Sequence, residues 1–306
     1  MKALVIGYGS IGKRHAEILS DIGQIDQVEL VTKQSAQNYT AYSELSEIPH
    51  GMLQKYDYFV IASITSMHYD QLSYLCQHMT NKKILVEKPL FEKEHLAIDI
   101  GSNQVYVGYN LRFHPVLLKL KELLSENKPL LANLVCGQYL PNWRPNTDYR
   151  ESYSADINQG GGVLRDLSHE LDYCAWLFGS FVEVKSINKK VSSLEISSDD
   201  VFSGVGITGN NVVVNISLDY LSRQPIRQLI IQCERLTILA NFLDGQIQLI
   251  DDNKKEHFNF DVKRNDSYVQ MHQDFINDNF QNLCTYSEGV NIVNFIDQHS
   301  MAGECV

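Results

Sequence analysis

The chain has 306 residues, 44% of them hydrophobic and 10% aromatic. That is long enough for two globular domains and too apolar for a disordered chain. A formal charge of −11 argues against a general nucleic-acid binder, which needs clustered Lys and Arg, but leaves room for an anionic small molecule held by a few local arginines.

The first predicted strand, Lys2–Gly7, runs into GYGSIG at residues 7–12 and then a helix with an apolar stripe of Ile11, Ala16, Ile18, Leu19 and Ile22. A GxGxxG is weak alone and gains force between a strand and a helix at the head of a βαβ chain. Gly7 permits the tight turn, Gly9 lets the backbone approach a pyrophosphate, and Gly12 lets helix and strand pack closely. Ser10 and Ile11 then present the free N–H groups of a helix N-terminus to the phosphates. The competing reading is a glycine-rich turn without a ligand.

The second strand, Gln27–Thr32, ends in Thr32-Lys33-Gln34-Ser35, with no carboxylate at its tip and Glu29 inside it. An acidic residue at that tip usually accepts hydrogen bonds from the ribose of NAD. Thr32, Lys33 and Ser35 suit a 2′-phosphate instead, so NADP(H) is favoured and NAD(H) is the alternative. A plain surface lysine on a turn competes with both. Further strands at Tyr58–Ala62, Lys83–Glu87 and Gln104–Tyr109 alternate with helix-like segments, which predicts a doubly wound parallel sheet.

Beyond Pro115 the pattern changes. A helix from Val116 to about Glu126 precedes a strand, ANLVCGQYL, and the loop PNWRPNTDYRESYSADINQ. Strand-like runs follow: VEVKSIN, DVFSGVGIT, NVVVNISLDY, RQLIIQC, RLTILAN and QIQLI. Gly209-Asn210-Asn211 and Asp244-Gly245 between them read as hairpin turns. An α/β architecture results: a Rossmann dinucleotide-binding domain over 1–112 and a substrate-binding α+β domain over 113–306 with a mostly antiparallel sheet. Six cysteines (76, 136, 174, 233, 284, 305) lie far apart without CxxC or metal spacing, so reduced thiols and no metal are expected. No apolar run reaches the roughly 18 residues of a membrane span, and MKALVIGYGS is too short for a secretory signal. A cytoplasmic protein with no membrane partner is expected.

GGGVLRDLSHELDY at 160–173 reads as glycines opening one helix. At about 100° per residue, Asp166 and Asp172 fall about 60° to either side of His169, with Leu167, Leu171, Cys174 and Phe178 opposite. The wheel alone favours an ordinary solvated face.

Two further segments bear on that choice. KILVEKPL at 83–90 puts Glu-Lys-Pro at the carboxyl end of a strand, where open α/β sheets bind ligands, and Pro89 keeps Lys88 extended. Together with GYGSIGKRH, ASITSMH at 62–68, VGYNLRFHP at 107–115, the three glycines and HELD at 169–172, the chain resembles the Gfo/Idh/MocA oxidoreductases over residues 1 to about 180. The resemblance implies oxidation or reduction of a secondary alcohol on a sugar, cyclitol or nucleotide sugar. It implies proton transfer assisted by Lys88 and His169, with cofactor contacts at Ala62, Ser63, Thr65, His68, Glu87 and Lys88. A histidine base beside an ammonium suits removal of a hydroxyl proton and stabilisation of an alkoxide. Many members carry an aspartate four residues before the histidine. Here Asp166 stands three before it and Ser168 replaces a common glycine, so Asp166 and Asp172 are both candidates to assist His169. A homo-oligomer, dimer or tetramer, is also implied.

The 19-residue loop from Pro141 to Gln159 is long enough to suggest function. Trp143, Arg144, Tyr149, Arg150 and Tyr153, with Arg112 at the domain crossing, mix aromatic faces with guanidinium forks. They predict a sugar-like substrate with an anionic group, against the alternative of a surface loop pinned by structural ion pairs. Two other functions stay open: an epimerase-type enzyme that retains its cofactor, and a non-catalytic dinucleotide sensor.

Overall fold

A computed structural model describes residues 1–144 and 147–300, so Cys305 lies outside the described residues. In chain order the first elements are β1 (Lys2–Ile6), α1 (Ser10–Asp21), β2 (Gln27–Val31), β3 (Thr40–Tyr42), α2 (His50–Leu53), β4 (Tyr58–Ile61), α3 (His68–His78), β5 (Lys83–Val86) and β6 (Gln104–Val107). Next come α4 (Pro115–Glu126), β7 (Pro129–Gly137), α5 (Val163–Asp166), α6 (Ser168–Phe178), β8 (Phe181–Lys189), β9 (Val201–Thr208) and β10 (Val213–Asp219). The chain continues through β11 (Ile226–Cys233), β12 (Thr237–Asn241), β13 (Gln246–Ile250) and β14 (Lys255–Asn259) to α7 (Asp266–Ile276), β15 (Cys284–Thr285) and α8 (Tyr286–His299). None of the described helices is long and apolar enough to cross a membrane. The five described cysteines form no disulfide.

Two compact units result. Unit 1 comprises Met1–Phe113 and Asn265–Asn294; unit 2 comprises His114–Arg264 and the residues from Phe295. The return of the chain to unit 1 has no counterpart in the sequence reading, which assigns everything after 112 to the second domain. Its cause is the apolar stripe of α7. Met271, Phe275 and Ile276 are buried in the same core as Ala3, Leu19, Leu30 and Val60.

Unit 1 is built on a seven-stranded sheet in the order β15-β6-β5-β4-β1-β2-β3. It is parallel except at β15, which runs antiparallel to β6. Leu30, Val5, Val60 and Leu85 form one row across it, all buried, as strands covered on both faces require. The strand order reverses between β1 and β4, the switch point outside whose carboxyl ends ligands bind.

Unit 2 carries an eight-stranded sheet, β14-β13-β12-β11-β7-β10-β9-β8, antiparallel except where β10 lies parallel to β7. Both turns form as expected: Asn211 between β9 and β10 and Gly245 between β12 and β13 adopt φ of 63° and 64°. Pro115 starts α4, and His114 Nδ1 accepts the Val116 N–H at 3.3 Å as its cap.

The expected single helix after the glycines is two. Leu167, at φ −95° and ψ 28°, separates α5 from α6, so Asp166 and His169 do not share one helical wheel. The polar face deduced from that wheel is corrected as well. Ser168, Glu170, Leu171, Asp172, Tyr173 and Cys174 are all buried, and His169 is half-buried.

Phe275 meets Tyr58 and Tyr106 edge-on at 5.3 and 5.1 Å between ring centroids. Phe275→Ala should therefore destabilise unit 1 by about 3–5 kcal/mol, read as a lowered unfolding midpoint in denaturant. A midpoint equal to that of the native chain would show that α7 is not part of this core.

Candidate functional site

At the carboxyl end of β1, Gly7 adopts φ +99°, and a Cβ there would stand 2.5 Å from the Ala62 carbonyl oxygen. A Cβ on Gly12 would stand 2.2 Å from the Gly7 oxygen, whereas one on Gly9 would meet nothing within 4 Å. Two glycines thus close the turn onto β4 and the third leaves open space at the start of α1. Gly9 caps that helix without a side-chain hydrogen bond, and the first turn holds no acidic residue. This is a cradle with free N–H groups and room for an anion. Ser10 is exposed and Ile11 half-buried at its rim.

After β2, Thr32 Oγ1 accepts the Gln34 N–H at 3.0 Å and Ser35 is exposed. Lys33 is held 2.9 Å from Glu44, which raises its pKa above the ordinary lysine value. The sequence reading missed Glu44, which reaches the tip from the segment after β3. Glu29 is engaged inside the sheet with Tyr56 and Gln27.

After β4, Ser63 Oγ donates to Gln71 at 2.7 Å, and half-buried Thr65 opens a short 3-10 turn. His68, expected at the cofactor, is instead a buried bracket. Its ring nitrogens lie 3.2 Å from the carbonyl oxygens of Ser63 and Leu90. Burial pushes its pKa below the usual imidazole range. After β5, Glu87 is buried: Oε1 lies 2.8 Å from His15 Nε2 and Oε2 accepts the backbone N–H of Lys88 at 3.1 Å. Lys88 is half-buried, and its peptide bond to Pro89 is cis. A separate depression of about 470 Å³, lined by Met1, Asp57, Lys83, Gln104 and Asp278 among others, opens at the amino ends of the strands, opposite to this chemistry.

In unit 2 the glycines pack the long loop against α5. A Cβ on Gly161 would stand 2.2 Å from the Tyr153 carbonyl, and one on Gly162 2.2 Å from Asp199 Oδ1. Asp199 Oδ2 accepts the Leu164 N–H at 3.1 Å. Asp166 is buried and accepts the Tyr220 hydroxyl at 2.7 Å. Tyr153 exposes 42% of its surface, yet the Asp166 carboxylate and then burial of its hydroxyl raise its pKa above the ordinary phenol value. Arg144 lies over the Tyr153 ring at 5.2 Å and Trp143 meets Tyr220 edge-on at 5.1 Å. Tyr220 is a second residue that sequence reading missed. It follows directly on β10, and no local pattern links it to Asp166.

The half-buried His169 sits near the start of α6, just before the anchored Glu170. Glu170 is fully buried 2.8 Å from Arg227. Burial opposes the charge of Arg227, but Glu170 together with Cys136 and Tyr173 offsets this and holds it above its ordinary value. Asp172, one turn after His169, is 1% exposed.

Residues 1–97 match the family model described as an oxidoreductase family with an NAD-binding Rossmann fold, and residues 118–239 match the Gfo/Idh/MocA C-terminal domain. The chain belongs to the Gfo/Idh/MocA oxidoreductase family. No curated protein matches it. Among solved structures it is similar to a UDP-N-acetylglucosamine 3-dehydrogenase from Acidithiobacillus ferrooxidans, with TM-score 0.79 and 20% identity over 98% of this chain and 96% of that one. It is also similar to a levoglucosan dehydrogenase in complex with NADH and levoglucosan, with TM-score 0.82 and 15% identity over 98% and 96%. A third is an oxidoreductase from Agrobacterium radiobacter in complex with NAD⁺, L-tartaric acid and magnesium, with TM-score 0.80 and 14% identity over 97% and 94%. At these identities the likeness speaks for the fold.

As a Gfo/Idh/MocA member the chain has a nicotinamide site, and the cradle of Gly7, Gly9 and Gly12 fits that cofactor. Some expected substrate contacts do not fit. Arg112 is 2% exposed, and its guanidinium is engaged by Glu288 at 3.2 Å and by the Leu283 carbonyl within unit 1. Arg150 is paired with Asp148 at 2.7 Å and with Glu195 at 2.9 Å. Tyr149 accepts the Glu195 N–H at 3.2 Å. These three are loop and core fasteners, so the aromatic-and-arginine pattern of that segment is structural in part.

The cradle yields a paired test. Gly9→Ala should leave thermal stability unchanged and weaken NADH and NADPH binding at least 10-fold, measured by calorimetry. Gly12→Ala should lower the melting temperature as well. Equal melting losses in both variants would refute the open-cradle geometry.

Proposed function

We propose that this family member transfers a hydride between a nicotinamide cofactor and a secondary alcohol or ketone of a sugar. The observation that carries the reading is the open cradle at Gly9 with Lys88 after β5, two strands away in the same sheet. The nicotinamide, when bound, supplies or accepts the hydride. Ser10 and Ile11 hold its phosphates by backbone N–H groups, and Ala62, Ser63 and Thr65 line the turn after β4.

His169 takes the hydroxyl proton, and the Lys88 ammonium orients the oxygen and stabilises its developing charge. Asp172 and the Glu170–Arg227 pair hold the helix that carries His169. Burial and then Asp166 keep Tyr220 a neutral phenol whose one O–H is spent on Asp166, and Asp166 and then burial keep the partly exposed Tyr153 neutral at the rim of the loop. A sugar is supported by the two similar dehydrogenases named for carbohydrate substrates. An anionic group on it is supported by Arg144, whose guanidinium lies over an aromatic ring with no carboxylate among its described ion pairs. The long loop, with Trp143 and Tyr153, would take the sugar.

For the cofactor we propose NADP(H), because the tip Thr32-Lys33-Gln34-Ser35 has no carboxylate of its own. Glu44 competes with the 2′-phosphate for Lys33, and an exposed pair of this kind yields readily to a phosphate.

Lys88→Ala and His169→Ala should each lower kcat at least 100-fold while leaving NADPH affinity within about 3-fold, in a screen of sugars and nucleotide sugars. Turnover within a few-fold of the native enzyme would sink the assignment. Native protein that binds NADPH but turns over nothing in the screen would favour a sensor. Lys33→Ala should weaken NADPH more than NADH, and Glu44→Gln should strengthen NADPH selectively. Equal effects on both cofactors would eliminate a 2′-phosphate contact.

A further inference from the structure

Behind the Glu-Lys-Pro turn, unit 1 holds four buried titratable side chains in a row. Tyr58 Oη lies 2.7 Å from His272 Nδ1, His272 Nε2 lies 2.7 Å from His15 Nδ1, and His15 Nε2 lies 2.8 Å from Glu87 Oε1. Tyr58, His272 and His15 are 0% exposed and Glu87 is 5% exposed. They come from β4, α7, α1 and the end of β5, and nothing in hydride transfer requires the first three.

The contacts leave two ways to place the protons. Burial, and then the neighbouring His15, push the His272 pKa well below the usual imidazole range. Burial likewise raises Tyr58 well above the phenol range. His272 is therefore a neutral ring that donates through one nitrogen and accepts through the other. If Tyr58 donates to His272, then His272 Nε2–H donates to His15 Nδ1 and His15 Nε2–H donates to Glu87. Every polar atom in the row is then used, with a carboxylate at the end and no additional proton. In the reverse order His15 Nε2 would face Glu87 lone pair to lone pair unless one more proton were buried. The Tyr58 hydroxyl would also lose its acceptor. Leaving a buried donor unmade costs about 1–3 kcal/mol, so the row has one favoured direction.

We propose that Tyr58, His272 and His15 are positioning residues: a directed chain of donors that fixes the Glu87 carboxylate and, through it, Lys88. Glu87 spends its other oxygen on the Lys88 N–H. Gly108 leaves the space that this carboxylate occupies, since a Cβ there would stand 2.8 Å from Oε1. His68 brackets the Leu90 carbonyl just beyond Pro89, and the edge of Tyr268 closes on His15 at 5.6 Å. The role in catalysis rests on the reading that Lys88 acts on the substrate; the direction of the chain does not.

Nitrogen NMR of histidine-labelled protein tests the direction without any turnover. His15 and His272 should both be neutral at pH 7 with the proton on Nε2. A cationic ring, or His15 protonated on Nδ1, overturns the chain even if no substrate is ever found. In kinetics, His272→Leu removes the donor to His15 and should lower kcat at least 10-fold with NADPH affinity held within 2-fold. His272→Gln restores an N–H at the position of Nε2 and should recover kcat to within about 3-fold of the native enzyme. Equal losses in both, or no loss in either, overturn the positioning role. Should His272→Leu not fold, Tyr58→Phe takes its place. Removing that one hydroxyl should mix the His15 tautomers and lower kcat at least 3-fold, and unchanged tautomers or unchanged kcat overturn the proposal.

Discussion

Where a Cβ on Gly7 would stand, the Ala62 carbonyl oxygen lies 2.5 Å away, so the turn after β1 and the end of β4 touch backbone to backbone. Much of unit 1 follows from that approach. It sets α1 against the switch point of the sheet, with Gly12 pressed onto Gly7 and Gly9 facing open space. It also brings His15, one turn further along α1, within reach of Glu87 at the end of β5. A phosphate cradle and a buried support for the Glu-Lys-Pro turn are thus consequences of the same close packing. A side chain at Gly7 or Gly12 would disturb both.

Unit 2 solves a different problem, because its helix α6 carries charged residues into a nearly dry setting. A buried carboxylate is tolerable only when paired, and the carboxylates around α5 and α6 have separate fasteners. Glu170 takes Arg227 from β11 and Asp166 takes Tyr220 from just beyond β10. Asp199 takes the N–H groups that open α5, through its side chain at Leu164 and its backbone carbonyl at Val163. Such pairs add less to stability than apolar packing would, but they restrict the helix to one rotation. His169 inherits that orientation from its neighbour Glu170.

The parallel sheet, the cradle and the Glu-Lys-Pro turn were legible in the sequence because each is written locally, as an apolar run or a motif within a dozen residues. The antiparallel strands of unit 2 were legible for the same reason, through alternation and turn residues. What escaped is non-local. The return of α7 to unit 1 depends on which core its stripe of Met271, Phe275 and Ile276 completes, and periodicity does not name the partner. Glu44 at Lys33, Glu288 at Arg112 and Tyr220 at Asp166 are likewise contacts between segments far apart or unpatterned. The arginines misled for a physical reason: a guanidinium suited to a substrate anion is equally suited to a protein carboxylate.

The break at Leu167 bears most directly on the motif that joins Asp166 to His169. On one continuous helix the two would turn together, and their spacing of three would decide whether they cooperate. With α5 and α6 separate, Asp166 is set by Tyr220, by Asp199 and by the loop that the glycines pull in, whereas His169 is set by Glu170 and Arg227. Spacing in the sequence then carries little information about their partnership. A one-residue difference from a related motif can be absorbed at Leu167, where the backbone leaves helical geometry, without moving either side chain from its anchors.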